Sequence, residues 1–193
     1  MHYDADAALI VVDVQNDFAD PAGSLYVAGG EAVPALVNAE IARARAAGAL
    51  VVCTQDWHPA ETPHFARDGG IWPVHCVAGE WGAAFHPDLA EADEVVRKGQ
   101  RGEDGYSGFT VRDPQSGEES GTGLAALLTQ RGVRRLAVCG LATDYCVKAT
   151  ALDALAAGFE VSVLTDAVRA VDLAPGDGAR ALAELAAAGA RLE

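Results

Sequence analysis

Apolar residues follow two alternating rhythms along this chain. Short, nearly unbroken apolar runs occur at Ala8–Val12 (ALIVV), Ala49–Thr54 (ALVVCT), Glu94–Arg97, Arg135–Cys139 (RLAVC) and Phe159–Leu164 (FEVSVL). Runs of this length mark strands buried on both faces. Between them the period becomes helical. Glu31–Ala47 sets Val33, Leu36, Val37 and Ile41 on one side and stops at Gly48. Gly123–Gln130, Asp144–Ala157 (closed by Gly158) and Pro175–Ala188 (ended by Gly189) read as further helices, and Ala190–Glu193 starts a last strand. Strand and helix in alternation predict an α/β fold, a Rossmann-like three-layer α/β/α arrangement around a mostly parallel central sheet of about six strands.

One stretch breaks the rhythm. Residues 55–93 show little periodicity, yet hold four of the five His and all three Trp. A long irregular segment inside a compact domain is usually functional. We read it as a loop insertion within one domain spanning 1–193. Composition adds mainly exclusions. With 28 acidic against 14 basic side chains, the net charge of −14 opposes nucleic acid and anionic membrane surfaces as partners. No basic segment precedes an apolar one at the N-terminus, and no apolar run approaches the roughly 18–20 residues a bilayer requires. These features predict a cytoplasmic protein. The four Cys (53, 76, 139, 146) form no CxxC, so free thiols are expected.

In open parallel sheets, ligands bind beyond the carboxyl ends of the strands. Four strands each deliver a reactive residue there: Asp13 in VVDVQNDF, Asp56 in TQDWH, Lys98 in VVRKG and Cys146 in GLATDYC. Alone, each has an ordinary explanation: a capping carboxylate, a solvated charge, a small buried thiol. Together they converge. Lys98 also stands out because Lys148 is the only other Lys in an Arg-preferring chain. With Thr143 or Asp144 as N-cap, Cys146 is expected in the first turn of a helix, where the dipole and Lys98 would lower its pKa. Asp13 could shuttle the proton, and backbone N–H groups could hold an oxyanion. These are the parts of amide hydrolysis through a thioester. Cys53 and Cys139 lie within strands and read as packing; Cys76 stays ambiguous.

A second group is Asp56-x-His58 with His64 and His75. Residues two apart on an extended segment face the same way. A His and carboxylate set with open positions suits zinc, iron(II) or manganese as a Lewis acid. His86 and His2 fit no such spacing.

The order of these motifs resembles the nicotinamidases and pyrazinamidases of the isochorismatase-like cysteine hydrolases. It runs nearly end to end: VVDVQNDF (11–18), GSL (23–25), TQDWHP (54–59), WPVHCVAGE (72–80), FHPDL (85–89), RKG (97–99), YSGF (106–109) and CGLATDYCV (139–147). The resemblance implies a catalytic triad of Asp13, Lys98 and Cys146. It implies one divalent metal, zinc ahead of iron or manganese, on Asp56, His58 and His75, with His64 matching a fourth ligand of some members. It further implies substrate walls from Phe18, Trp72 and Tyr106, an oxyanion hole from the N–H groups of Ala142 and Cys146, and a cis peptide between Leu141 and Ala142. The chain departs from the pattern at Tyr145, where His is also expected, and in an acidic, Gly-rich loop at 100–121.

The implied reaction converts nicotinamide to nicotinate and ammonia within NAD salvage, with pyrazinamide as a further substrate. The small-molecule substrate is then the main partner, and a homo-oligomer is compatible with the reading. One alternative is a metal-independent cysteine amidase acting on an N-carbamoyl compound or maleamate. The other is a non-catalytic binding relative. The Asp-x-His and His set disfavours the first, and the intact triad disfavours the second.

Overall fold

The computed structural model describes all 193 residues. Six strands form the central sheet: β1 (Ala7–Val12), β2 (Leu50–Asp56), β3 (Glu94–Lys98), β6 (Arg135–Leu141), β7 (Glu160–Arg169) and β8 (Arg191–Leu192). Their order is β3-β2-β1-β6-β7-β8, and every neighbouring pair is parallel. The period-two rule explains the layers. In β1, Ala7, Leu9 and Val11 enter one core with Val33, Val37 and Ile41 of helix α2 (Val33–Ala46). Ala8, Ile10 and Val12 enter the other, with Leu124 and Leu128 of α3 (Leu124–Gln130), Ala151 of α4 (Lys148–Ala156) and Leu185 of α5 (Asp177–Ala187). Both faces of the sheet are therefore covered, which is why its strands read as continuous apolar runs.

Several elements differ from the sequence reading. β2, β3 and β6 run on to Asp56, Lys98 and Leu141, so the functional residues close their strands. A single helical turn, α1 (Asn16–Ala19), follows β1. A small antiparallel hairpin of β4 (Thr110–Arg112) and β5 (Glu119–Gly121) forms within the acidic loop at 100–121. The segment after β2 is irregular, with short 3-10 turns at Ala66–Asp68 and Trp81–Ala83. The expected single helix from Asp144 is instead a wide π-type turn, Thr143–Val147, that leads into α4. Neither proposed cap operates: no side chain caps either element. The Asp144 carboxylate accepts from the Val171 and Asp172 N–H groups at 2.9 Å each, and so is spent on a neighbouring loop.

β1 and β6 approach closely where the site begins. Gly140 has φ +110°, and a Cβ there would lie 2.1 Å from the Val12 carbonyl oxygen. Only glycine combines that conformation with that contact. One residue beyond Val12, Asp13 turns out of the sheet with φ +47°, a left-handed conformation that Asp tolerates better than most residues.

Candidate active site

Asp13, Lys98 and Cys146 come together at the carboxyl edge of the sheet, each almost fully buried. The Lys98 ammonium lies 2.9 Å from Asp13 Oδ2 and 3.6 Å from the Cys146 sulfur, and also pairs with Asp56 Oδ1. Thr54 grips Asp13 from β2: its hydroxyl donates to Oδ1 at 2.7 Å and accepts from the Asp13 N–H at 3.2 Å. Gln15 ties the same strand ends together, accepting from the Asp56 N–H and donating to the Asp56 carbonyl, both at 2.8 Å. Carboxylate oxygens of Asp13 and Asp56 lie within 4.8 Å of each other and of the Cys146 sulfur.

Electrostatics in this cluster follow from burial and charge. Burial alone would strip Lys98 of its proton, but the two carboxylates beside it hold its pKa well above the usual amine range. Burial raises Asp13 despite the Lys98 charge, with Asp56 adding to the rise. Asp56 is pushed up by burial but falls below the ordinary carboxylate range under the pull of Lys98 and His58. For Cys146 the outcome reverses the sequence expectation. Burial, followed by Asp13 and Asp56, raises its thiol well above the usual value, and Lys98 offsets this only in part.

A second cluster adjoins the first. Ring nitrogens of His58, His64 and His75 all lie within 4.8 Å of one another. His58 stacks on His64 with centroids 4.7 Å apart, and its Nε2 is 3.9 Å from Asp56 Oδ2. The histidines also show how each is prepared. His75 Nδ1 is 2.7 Å from the Pro73 carbonyl and His64 Nδ1 is 2.6 Å from Asp104 Oδ1. Both partners accept only, so in the neutral ring each Nδ1 carries the hydrogen and leaves the Nε2 lone pair free. Neither nitrogen of His58 has a protein partner, although the ring is buried. Buried polar atoms are rarely left unpaired. An orphaned imidazole among two lone-pair-bearing ones, next to a carboxylate, fits a divalent cation. Burial lowers His75 to about 4, so this ring is neutral, as ligation requires, across the physiological range.

Both clusters reach one cavity, lined by Asp56, His64, His75 and Cys146 on the polar side. Phe18, Trp72 and Tyr106, named from the sequence, are among its walls. So are Leu25, Val27, Tyr145, Leu141, Ala142 and Val171. Trp72, Tyr106 and Tyr145 meet edge to face, and Trp72 Nε1 donates to the Tyr106 hydroxyl at 3.1 Å. The peptide between Leu141 and Ala142 is cis. Leu25 was legible only as part of GSL, and Val27 and Val171 are loop residues with no periodic signal. Asp17 was legible only as part of VVDVQNDF. Its carboxylate accepts from the Cys76 N–H at 2.7 Å and the Ser24 N–H at 3.0 Å, which fixes the corner carrying His75. Cys76 is thus a structural residue, buried and with its own φ at +47°. His86 lies apart from the clusters, its Nδ1 accepting from the Asp88 N–H.

A family model described as the isochorismatase domain matches residues 7–192. The chain belongs to the isochorismatase family. Among its relatives is a nicotinamidase of Escherichia coli (strain K12), 38% identical over 204 aligned positions that cover 96% of this chain and 93% of that protein. Two solved structures of the same architecture are also similar. One, from L. infantum, is in complex with nicotinate: 40% identity, TM-score 0.89, covering 100% of this chain and 95% of that one. The other is the pyrazinamidase of Pyrococcus horikoshii in complex with zinc: 43% identity, TM-score 0.87, covering 97% and 98%. This isochorismatase-family chain therefore shares the fold of enzymes crystallised with a pyridine carboxylate and with a metal.

Proposed function

We propose that this chain is a cytoplasmic nicotinamidase. It hydrolyses nicotinamide to nicotinate and ammonia through a thioester on Cys146, accepts pyrazinamide, and serves NAD salvage. The observation that carries this reading is the adjacency of two clusters, Asp13–Lys98–Cys146 and His58–His64–His75, which reach one aromatic-walled cavity through Cys146, His64 and His75. Four unpaired, buried cysteines suit a reducing compartment.

Asp13 takes the Cys146 proton, for which its raised pKa equips it, while the Thr54 hydroxyl holds the carboxylate in place. The sulfur attacks the carboxamide carbon, and the N–H groups of Ala142 and Cys146 receive the developing oxyanion. Protonated Asp13 then gives its proton to the departing ammonia, leaving the acyl group on sulfur. Asp13 next deprotonates a water that adds to the thioester carbon. Collapse releases nicotinic acid, which ionises to nicotinate in solvent, and Asp13 returns its proton to the sulfur. Lys98 stays charged throughout and balances the negative charge that moves between Asp13 and Cys146. Phe18, Trp72 and Tyr106 flank the ring. Asp56, His58 and His75, with His64 as a fourth, would hold one divalent cation, zinc by preference over iron or manganese. When bound, it supplies a Lewis-acid anchor for the ring nitrogen.

The test is ammonia release from nicotinamide before and after chelation, with metal content measured on the same sample. Activity is expected to fall with metal loss and to return with zinc. Full activity in metal-free protein would contradict the cation's assigned role.

A further inference from the structure

His75 takes its orienting hydrogen bond from a backbone carbonyl two residues away, but His64 does not. Its Nδ1 reaches Asp104, 40 residues downstream, at 2.6 Å. An ionised carboxylate only accepts, so this contact keeps hydrogen on Nδ1 and directs the Nε2 lone pair elsewhere. The length is that of a strong, charge-assisted bond.

Asp104 is itself held. Its backbone N–H donates to the Arg112 carbonyl at 2.7 Å, and the Arg112 N–H donates back at 2.6 Å. Its Oδ1 also accepts from the Gly105 N–H at 3.1 Å, and the Arg112 guanidinium lies 3.8 Å from Oδ2. Arg112 closes strand β4, so the hairpin in the acidic loop braces the residue that aims His64.

We infer that Asp104 is the positioning residue of His64, fixing its tautomer and ring plane and so making His64 a ligand of the cation, with the β4–β5 hairpin as support. The inference rests on the metal-site reading above. A carboxylate behind a ligating imidazole raises its basicity and holds it in place.

The test is zinc affinity, measured by competition with a chromophoric chelator, on the full chain as wild type, Asp104→Ala, Asp104→Asn, His64→Ala and the double variant His64→Ala/Asp104→Ala. Asp104→Ala is expected to weaken zinc binding by about 10–100-fold. Asp104→Asn, whose amide oxygen still accepts from Nδ1–H, should recover part of that loss. In the His64→Ala background, removing Asp104 should change affinity by less than about twofold, because its effect passes through the missing ring. Wild-type affinity in Asp104→Ala would overturn the inference and leave the metal site standing. So would an equal loss with and without His64, since Asp104 would then be supporting the loop alone. Failure of the wild type to take up zinc would remove the metal-site reading and this inference together.

Discussion

Cys146 carries its proton at neutral pH. Its burial, with Asp13 and Asp56 alongside, raises the thiol well above its ordinary value, and the Lys98 ammonium at 3.6 Å does not reverse this. In the proposed reaction the nucleophile is therefore made on demand, by transfer to Asp13, rather than stored as a thiolate. The sequence pointed to the opposite state because it shows a cation and a helix end, but records neither the depth of burial nor how close Asp13 and Asp56 come to the sulfur. With a raised pKa, the thiolate fraction near neutrality is small and grows about tenfold per pH unit. Alkylation of Cys146 by iodoacetamide should accordingly climb through the alkaline range. Asp13→Asn removes a charge that raises the thiol, so its alkylation profile should shift to lower pH while turnover is lost. A profile unmoved, or moved to higher pH, would mean that Asp13 does not face the thiol electrostatically.

Stability and site geometry separate at the level of elements. Leu128 of α3 is buried in the core on one face of the sheet, away from the cavity walls. Leu128→Ala should cost about 2–5 kcal/mol and lower the melting temperature by roughly 10 °C, with kcat/KM unchanged below the transition. Gly140→Ala should lose both stability and turnover, because the added Cβ would strike the Val12 carbonyl just before Asp13. Thermal melts and activity on the same preparations check the pair; loss of turnover in Leu128→Ala would link the distant core to the site. The strands were legible because both their faces are buried, which writes a plain apolar run such as ALIVV. Their last residues were not. Asp56, Lys98 and Leu141 end their strands by backbone pairing that hydrophobicity does not record. The turn at Thr143–Val147 follows a helical pattern in sequence, and only its backbone shows it to be wider. Asp104 looked like one more acid in a Gly-rich loop. Its role depends on a hairpin whose strands are three residues each, too short to carry a period.

For the molecule as a whole, the net charge of −14 and the neutral substrate are compatible. An uncharged amide gains nothing from electrostatic steering, so an acidic exterior carries no penalty in encounter. No helix of the protein is long and apolar enough to cross a membrane. The ordered motifs from residue 11 to residue 147 were enough to indicate the family, and four of them, VVDVQNDF, TQDWHP, RKG and CGLATDYCV, sit where a strand ends, so the topology gathers them at one edge. What they could not convey is how the two clusters share a wall, with Asp56 paired to Lys98 on one side and facing His58 on the other. In the proposed reading that shared carboxylate joins the thiol chemistry to the cation site. The most direct measurement is ammonia and nicotinate release from nicotinamide by wild-type protein and by Cys146→Ala, both loaded with zinc. The wild type should release the two products in equal amounts, and Cys146→Ala should release neither while retaining its metal. Continued turnover without the thiol, or a wild type inert toward nicotinamide, would contradict the account.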